Sequence, residues 1–345
     1  MARFKTGIGF LGVFCILALS GRMVHSQGKA VPGTVQVHMV ITDQAFNDNS
    51  EVPVLRQDNV QVKVGKDAVK VEHLIPAQGD SAALQLFVLI DDTCETASLG
   101  NNLNDLGDFI NAQPSSTMVG VAYLSNSTTQ VAQNLTVDHA AAAKALRLPR
   151  GNSSAMDSPY LSLISLVKTW PQQKVRRQVL MISDGIDRLR GDNSGSTGVF
   201  GSSPRAARGG RPPAPASRTT MPTISSDANT ASTASQRYGV TVHSIYSPGI
   251  GRLGRNSWEA QLGQSGVAKI ASETGGEYFA LGTQAPVSFK PYLDRLQKIF
   301  NNQYFLVFQV APRRGGGLQR VRISTEVANA DIASANSVWV PAAGD

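Results

Sequence analysis

Cysteine is nearly absent: the 345 residues hold only Cys15 and Cys94. Cys15 lies in an N-terminal apolar stretch that reads as a removable export segment. One thiol then remains, and no intramolecular disulfide can form even in an oxidising compartment. Cys94 has no neighbour that suggests nucleophilic chemistry and reads as a small buried residue. Histidine is also scarce, and His38, His73, His139 and His243 show none of the spacings of a metalloprotease. There is no Gly-x-Ser-x-Gly elbow and no phosphate-binding Gly-Lys-Ser/Thr loop. These absences leave no catalytic triad to argue and point to a non-enzymatic protein. Beyond Ile8–Leu19 no stretch is long and apolar enough to span a bilayer.

The net charge of +7 loses its meaning once it is located. Arg3, Lys5 and Arg22 give residues 1–26 a charge of +3 without an acid. Residues 188–237 hold seven arginines against Asp192 and Asp227. The rest of the chain is close to neutral, so it has no charged stripe of the kind that binds nucleic acid. Arg3 and Lys5 before a short apolar run describe a signal peptide over 1–26, with cleavage between Ser20 and Gln27. An uncleaved anchor is the alternative. A cleaved chain has no membrane span and is exported, to a periplasm or to the extracellular space.

Apolar and polar residues alternate over Thr34–Thr42, Val60–Val64 and Val69–Leu74, as in half-buried strands. Leu86–Ile90 and Val179–Ile182 are continuously apolar, as strands covered on both faces are. Leu99, Leu103, Leu106 and Ile110 recur at helical spacing, as do Tyr160, Leu163, Ile164 and Val167. Further strands are expected at Met118–Leu124, Thr128–Leu135, Thr241–Tyr246 and Tyr278–Leu281. Helices are expected around Trp258–Ala271 and Phe289–Phe300. Tyr304–Val310, Arg320–Ser324 and Ser337–Val340 close the chain, with Arg313–Gly317 as a hairpin turn between the first two. The expected fold is therefore α/β, with a doubly wound, mostly parallel sheet and a small β satellite built from both flanks. The expected organisation is a β segment over 27–82, the main domain over 83–302 and a C-terminal β segment over 303–345 that packs with the first. Residues 188–236 are rich in Gly, Ser, Pro and Arg and poor in large apolar side chains, so a disordered insert is expected there.

Three segments carry oxygen side chains towards one place. They are Asp91-Asp92-Thr93-Cys94-Glu95 after one apolar strand, Gly151-Asn152-Ser153-Ser154, and Ser183-Asp184-Gly185 after another. Hydroxyls and carboxylates without His or Cys suit a hard cation. Asp92 with Glu95 three residues on also reads as a capping box for the next helix, and Asp184-Gly185 as a plain turn. Gly249-Ile-Gly251-Arg-Leu-Gly254 follows a strand but comes late in the βα series, and a flexible loop is the better reading than a dinucleotide site. Arg190-Gly191-Asp192 reads as a chance tripeptide in a low-complexity loop.

The order and spacing of these motifs resemble the von Willebrand factor type A family, and within it bacterial secreted VWFA-related proteins. The family pattern is Asp-x-Ser-x-Ser, a Thr in a middle loop and a later Asp. Asp91-x-Thr93-x-Glu95 matches the first with two departures, Ser153 stands at the Thr position, and Asp184 fits the third in an Ile-Ser-Asp-Gly setting. Thr274-Gly275-Gly276 matches a further feature of the bacterial group. The resemblance implies a Rossmann-like fold and recognition of a protein ligand through a divalent cation held by Asp91, Thr93, Glu95, Ser153 and Asp184. Mg²⁺ is the first expectation, with Mn²⁺ or Ca²⁺ as alternatives. Glu95 in place of a neutral Ser raises the carboxylate count and weakens the attraction for an acidic partner. The rival readings are an interaction module with a degenerate, metal-free site, and a metal-assisted hydrolase.

Overall fold

The computed structural model describes residues 34–45, 52–189, 224–250 and 257–342. The expected export segment and Arg190-Gly191-Asp192 lie outside them.

The two continuously apolar runs form neighbouring central strands, β5 (Leu84–Asp91) and β8 (Arg176–Ser183), buried along their whole length. Their side chains alternate between two cores, which explains why neither run alternates with polar residues. Leu86, Val88 and Ile90 of β5 pack with Leu106, Ile110, Leu296 and Phe300 on one face. Phe87 and Leu89 pack with Leu163, Val167, Ala231 and Ile270 on the other.

Around this pair the chain builds a six-stranded sheet. β6 (Thr117–Ser125) and β7 (Thr128–Thr136) extend it on the β5 side, and β9 (Val240–Tyr246) and β10 (Tyr278–Phe279) on the β8 side. All pairs are parallel except β6–β7, an antiparallel edge. In order along the sheet the strands run β10-β9-β8-β5-β6-β7, so the direction of winding reverses between β5 and β8. The carboxyl ends of those two strands flank a topological switch point, where open α/β sheets place their sites. The helices are α1 (Thr96–Gly100), α2 (Leu103–Asn111), α3 (His139–Lys144), α4 (Pro159–Thr169), α5 (Ser226–Arg237), α6 (Ser257–Thr274) and α7 (Lys290–Asn301).

Both flanks meet in a β sandwich. One sheet holds β1 (Val35–Asp43), β4 (Val71–Pro76), β11 (Gln303–Val310) and β13 (Ile332–Ser334). The other holds β2 (Val60–Val64), β3 (Asp67–Val69), β12 (Gly317–Thr325) and β14 (Ser337–Val340). Val37, Ile41, Leu306 and Phe308 of the first face Val62, Val64, Val321 and Val340 of the second. A buried polar chain ties this unit to the amino end of the central sheet. His243 bonds Gln178 at 2.8 Å, Gln178 donates to Gln303 at 2.6 Å, and Gln303 donates to Thr42 at 3.3 Å.

Three expectations are corrected. Strands β11 and β12 do not form a hairpin: β11 pairs with β1 and β4, and β12 with β2 and β14. The turn at 313–316 instead carries the chain between layers, because the apolar faces of both strands are buried only when they lie on opposite sides of the sandwich core. The single helix expected across Leu99–Ile110 is two. Asn102 interrupts it, donating to the Ser98 and Pro286 carbonyls and accepting from the Phe289 amide. The end of the expected insert is ordered as α5, whose Ala228 and Ala231 pack on the sheet. Small residues sufficed there, since α5 lies tightly between α4 and α6.

Candidate functional site

Asp91 closes β5 and turns its carboxylate into the switch point. Its Oδ1 accepts the Thr93 amide at 2.9 Å, and its Oδ2 accepts the Ser183 hydroxyl at 2.6 Å from the end of β8. Asp184, the next residue after β8, is fully buried. Its Oδ1 accepts the Ile186 amide at 2.9 Å and its Oδ2 meets Nη2 of Arg188 at 2.6 Å. Nη1 of Arg188 lies 3.4 Å from Oδ1, so the guanidinium faces both oxygens. The Arg188 backbone is fixed by its amide, which donates to the Asp157 carbonyl.

Residues 247–250 close over this cluster. The Glu95 amide donates to the Pro248 carbonyl, the Ile250 amide donates to the Thr93 carbonyl, and Gly249 bridges to Cys94. Glycine is required at 249: a Cβ there would stand 1.8 Å from Oδ2 of Asp184 and 2.7 Å from Nη2 of Arg188. The result is a buried site, with Asp91, Thr93, Cys94 and Asp184 each no more than 3% exposed.

The charges follow from that burial. Desolvation, then the nearby Asp184 charge, raises the Asp91 pKa to about 6, against the opposing pull of Arg188 and two hydrogen bonds. For Arg188 burial alone would lower the pKa, but the pairing with Asp184 and the charge of Asp91 raise it above the ordinary arginine value. Burial beside two carboxylates pushes the Cys94 thiol far up, which keeps it protonated and unreactive.

Of the five residues expected to hold a cation, Asp91, Thr93 and Asp184 come together. Glu95 and Ser153 are exposed. Glu95 is the N-cap of α1 without a side-chain cap bond, and its carboxylate accepts from Ser98 at 2.9 Å. Asp92 does not cap that helix, which corrects the capping-box reading. It is buried in a bidentate pair with Arg147, at 2.6 and 2.9 Å, and Arg147 stacks over the Tyr123 ring. The Gly151 amide donates to the Asp92 carbonyl, which draws the Ser153 loop to the rim of the site. The sequence reading overlooked Arg188 by counting it into the low-complexity insert. Its signal was the spacing of four residues from Asp184.

A divalent cation fits this arrangement poorly. The Thr93 hydroxyl is buried without a partner, as a vacant ligand would be. Every carboxylate oxygen of Asp91 and Asp184 already has a donor, however, and the positive charge beside Asp184 comes from Arg188.

No protein-family model matches the chain. No curated protein matches it either. Several solved structures are similar in fold. An aerotolerance-related membrane protein from Bacteroides fragilis is 12% identical with a TM-score of 0.38, over 64% of this chain and 99% of that one. A von Willebrand factor type A protein from Catenulispora acidiphila is 10% identical with a TM-score of 0.38, over 92% and 76%. The manganese-loaded TRAP protein of Plasmodium vivax is 11% identical with a TM-score of 0.38, over 73% and 92%. At these identities and scores the likenesses bear on no residue of the cluster. From the strand order, the parallel pairing and the one antiparallel edge, the central domain has a doubly wound, Rossmann-like α/β fold.

Proposed function

We propose that this is an exported, non-enzymatic protein-interaction module whose switch-point site is balanced from within by Arg188 and works without a divalent cation. The observation that carries the metal-free reading is the buried Arg188–Asp184 pair. It supplies the positive charge that a cation would bring, and it engages both oxygens of Asp184, the carboxylate that follows β8. Recognition then rests on the surface above. Leu148, Met156, Trp258, Leu281 and Val287 are all exposed large apolar residues on segments at the carboxyl end of the sheet. Apolar side chains in such loops, Trp and Met above all, suit a protein partner. The inert Cys94 and the neutral, fully bonded His243 support a role other than catalysis.

The cation-dependent reading through Asp91, Thr93, Glu95, Ser153 and Asp184 retains one support, the unpartnered Thr93 hydroxyl, and requires Arg188 to leave Asp184. Partner capture from a cell-envelope extract, with and without chelator, separates the two. Capture that survives chelation but is lost in Trp258→Ala/Met156→Ser supports the metal-free surface. Release by chelator, restored by Mg²⁺ or Mn²⁺, would favour the cation.

A further inference from the structure

A second charged group is buried at the opposite end of β8, and the proposed function makes no use of it. Arg176 and Arg177 open that strand and point to opposite faces of the sheet, as successive strand residues do. Arg176 leaves only its Nε without a partner: Nη1 donates to the Phe300 carbonyl at 2.8 Å and to Oε1 of Gln303 at 3.0 Å, and Nη2 donates to the Ala82 carbonyl. Arg177 is 7% exposed and has one protein partner, the Tyr238 carbonyl at the end of α5. Its Nε and Nη1 are buried without any partner, and no carboxylate pairs with it among the described residues. Burial lowers its pKa, yet arginine keeps its proton, so an uncompensated cation sits in a low-dielectric setting.

Arg177 is one of the residues lining a cleft of about 160 Å³ between the central sheet and the β sandwich. The cleft wall also includes His38, Lys174, Thr241 and Ser337, and it contains no Asp or Glu. Its volume is below the roughly 300–1,000 Å³ of a drug-sized pocket. It therefore suits a small group.

We propose that this cleft is an anion site, in which Arg177 receives a small oxyanion, a carboxylate or a phosphate group, with Lys174 at the mouth. Two nitrogens without partners need two acceptor oxygens, which both groups offer and chloride does not. The guanidinium reaches the anion by rotation about its own side-chain bonds, keeping the Tyr238 carbonyl as its anchor. The site lies six residues along β8 from Ser183, roughly 20 Å from the acidic cluster. It stands independently of the reading given to that cluster.

Titration calorimetry of the full chain with inorganic phosphate and with acetate, at constant ionic strength set by chloride, tests this. The expected result is saturable binding of one anion per chain. The amide resonances of Gly239 and Thr241 should shift along the same curve, and the anion that saturates at lower concentration identifies the class. Arg177→Met should weaken binding at least tenfold, and Lys174→Gln less. The calorimetry and the resonances of the unaltered chain decide the matter if Arg177→Met does not fold. No saturable binding of either anion, shifts confined to other regions, or equal affinity in a folded Arg177→Met would overturn the proposal.

Discussion

Replacing Arg188 by glutamine removes the one cation that faces Asp184 among the described residues while keeping a side chain of similar reach. The pair it breaks is short, 2.6 Å, with side chains 4% and 0% exposed. Removing one partner of a buried pair costs about 3–5 kcal/mol, because the other charge stays buried and uncompensated. At about 2 °C per kcal/mol for a chain larger than 150 residues, the thermal midpoint should fall by roughly 6–10 °C. Asp91 and Asp184 would then face each other with no positive charge between them, beside the unpartnered Thr93 hydroxyl. Two carboxylates and a hydroxyl are ligands for a hard cation. Mg²⁺ or Mn²⁺ should therefore stabilise Arg188→Gln while leaving the unaltered chain nearly unaffected. A cation at a hundredfold excess over its dissociation constant returns about 2.7 kcal/mol, enough to restore much of the loss. Scanning calorimetry of both proteins, with chelator and with each metal, reads this directly. An unaltered chain that gains as much from the metal as the variant, or an Arg188→Gln that melts within a degree of it, would refute a cluster balanced by Arg188.

Other expectations follow from the same geometry. Thr93→Val removes a buried hydroxyl that has no partner, so stability should hold or rise by up to about 1 kcal/mol. A clear loss in urea unfolding would show that the hydroxyl has a ligand. Gly249→Ala forces a methyl group onto the Asp184–Arg188 pair, and overpacking of this kind costs about 1–3 kcal/mol, or displaces the 247–250 loop and exposes Cys94 to thiol reagents. Unchanged melting with Cys94 still protected would show that the loop is not seated as described. Arg147→Met leaves Asp92 buried without its bidentate partner, and unfolding should become easier by about 1–3 kcal/mol. Equal urea midpoints would show that Arg150 alone is sufficient. His243 is held neutral by burial, with its pKa lowered to about 3. The unfolded imidazole takes up a proton below about 6.5, so the stability from this group is complete above that pH. It declines by up to about 1.4 kcal/mol per pH unit as the pH falls from 6.5 towards 3. The urea midpoint of His243→Gln should therefore depend less on pH between 4 and 6.5, and parallel slopes would contradict this.

Continuous apolarity is a local property of a segment, so Leu86–Ile90 and Val179–Ile182 announced the two central strands before any partner was known. The alternation over Val60–Val64 likewise announced a strand with one wet face. These patterns carried the α/β class and the position of Asp91 and Asp184 at strand ends. They could not carry pairing. Whether β12 turns back on β11 or crosses to the other layer depends on which faces need covering, and that is settled only by strands more than 200 residues away in the chain.

The cluster divides in the same way. The sequence by itself determined which oxygen side chains stand at the carboxyl ends of the strands, because residue type and the end of an apolar run are both local. Only the tertiary structure decided their charge partners. Arg188 lies four residues from Asp184, but its guanidinium reaches the carboxylate because the Asp157 carbonyl holds its backbone and Gly249 leaves room above. Arg147 meets Asp92 across 55 residues, which removes that acid from the helix it was expected to cap. A buried charge is defined by what packs around it, and long-range packing is the part of the fold that no local pattern encodes.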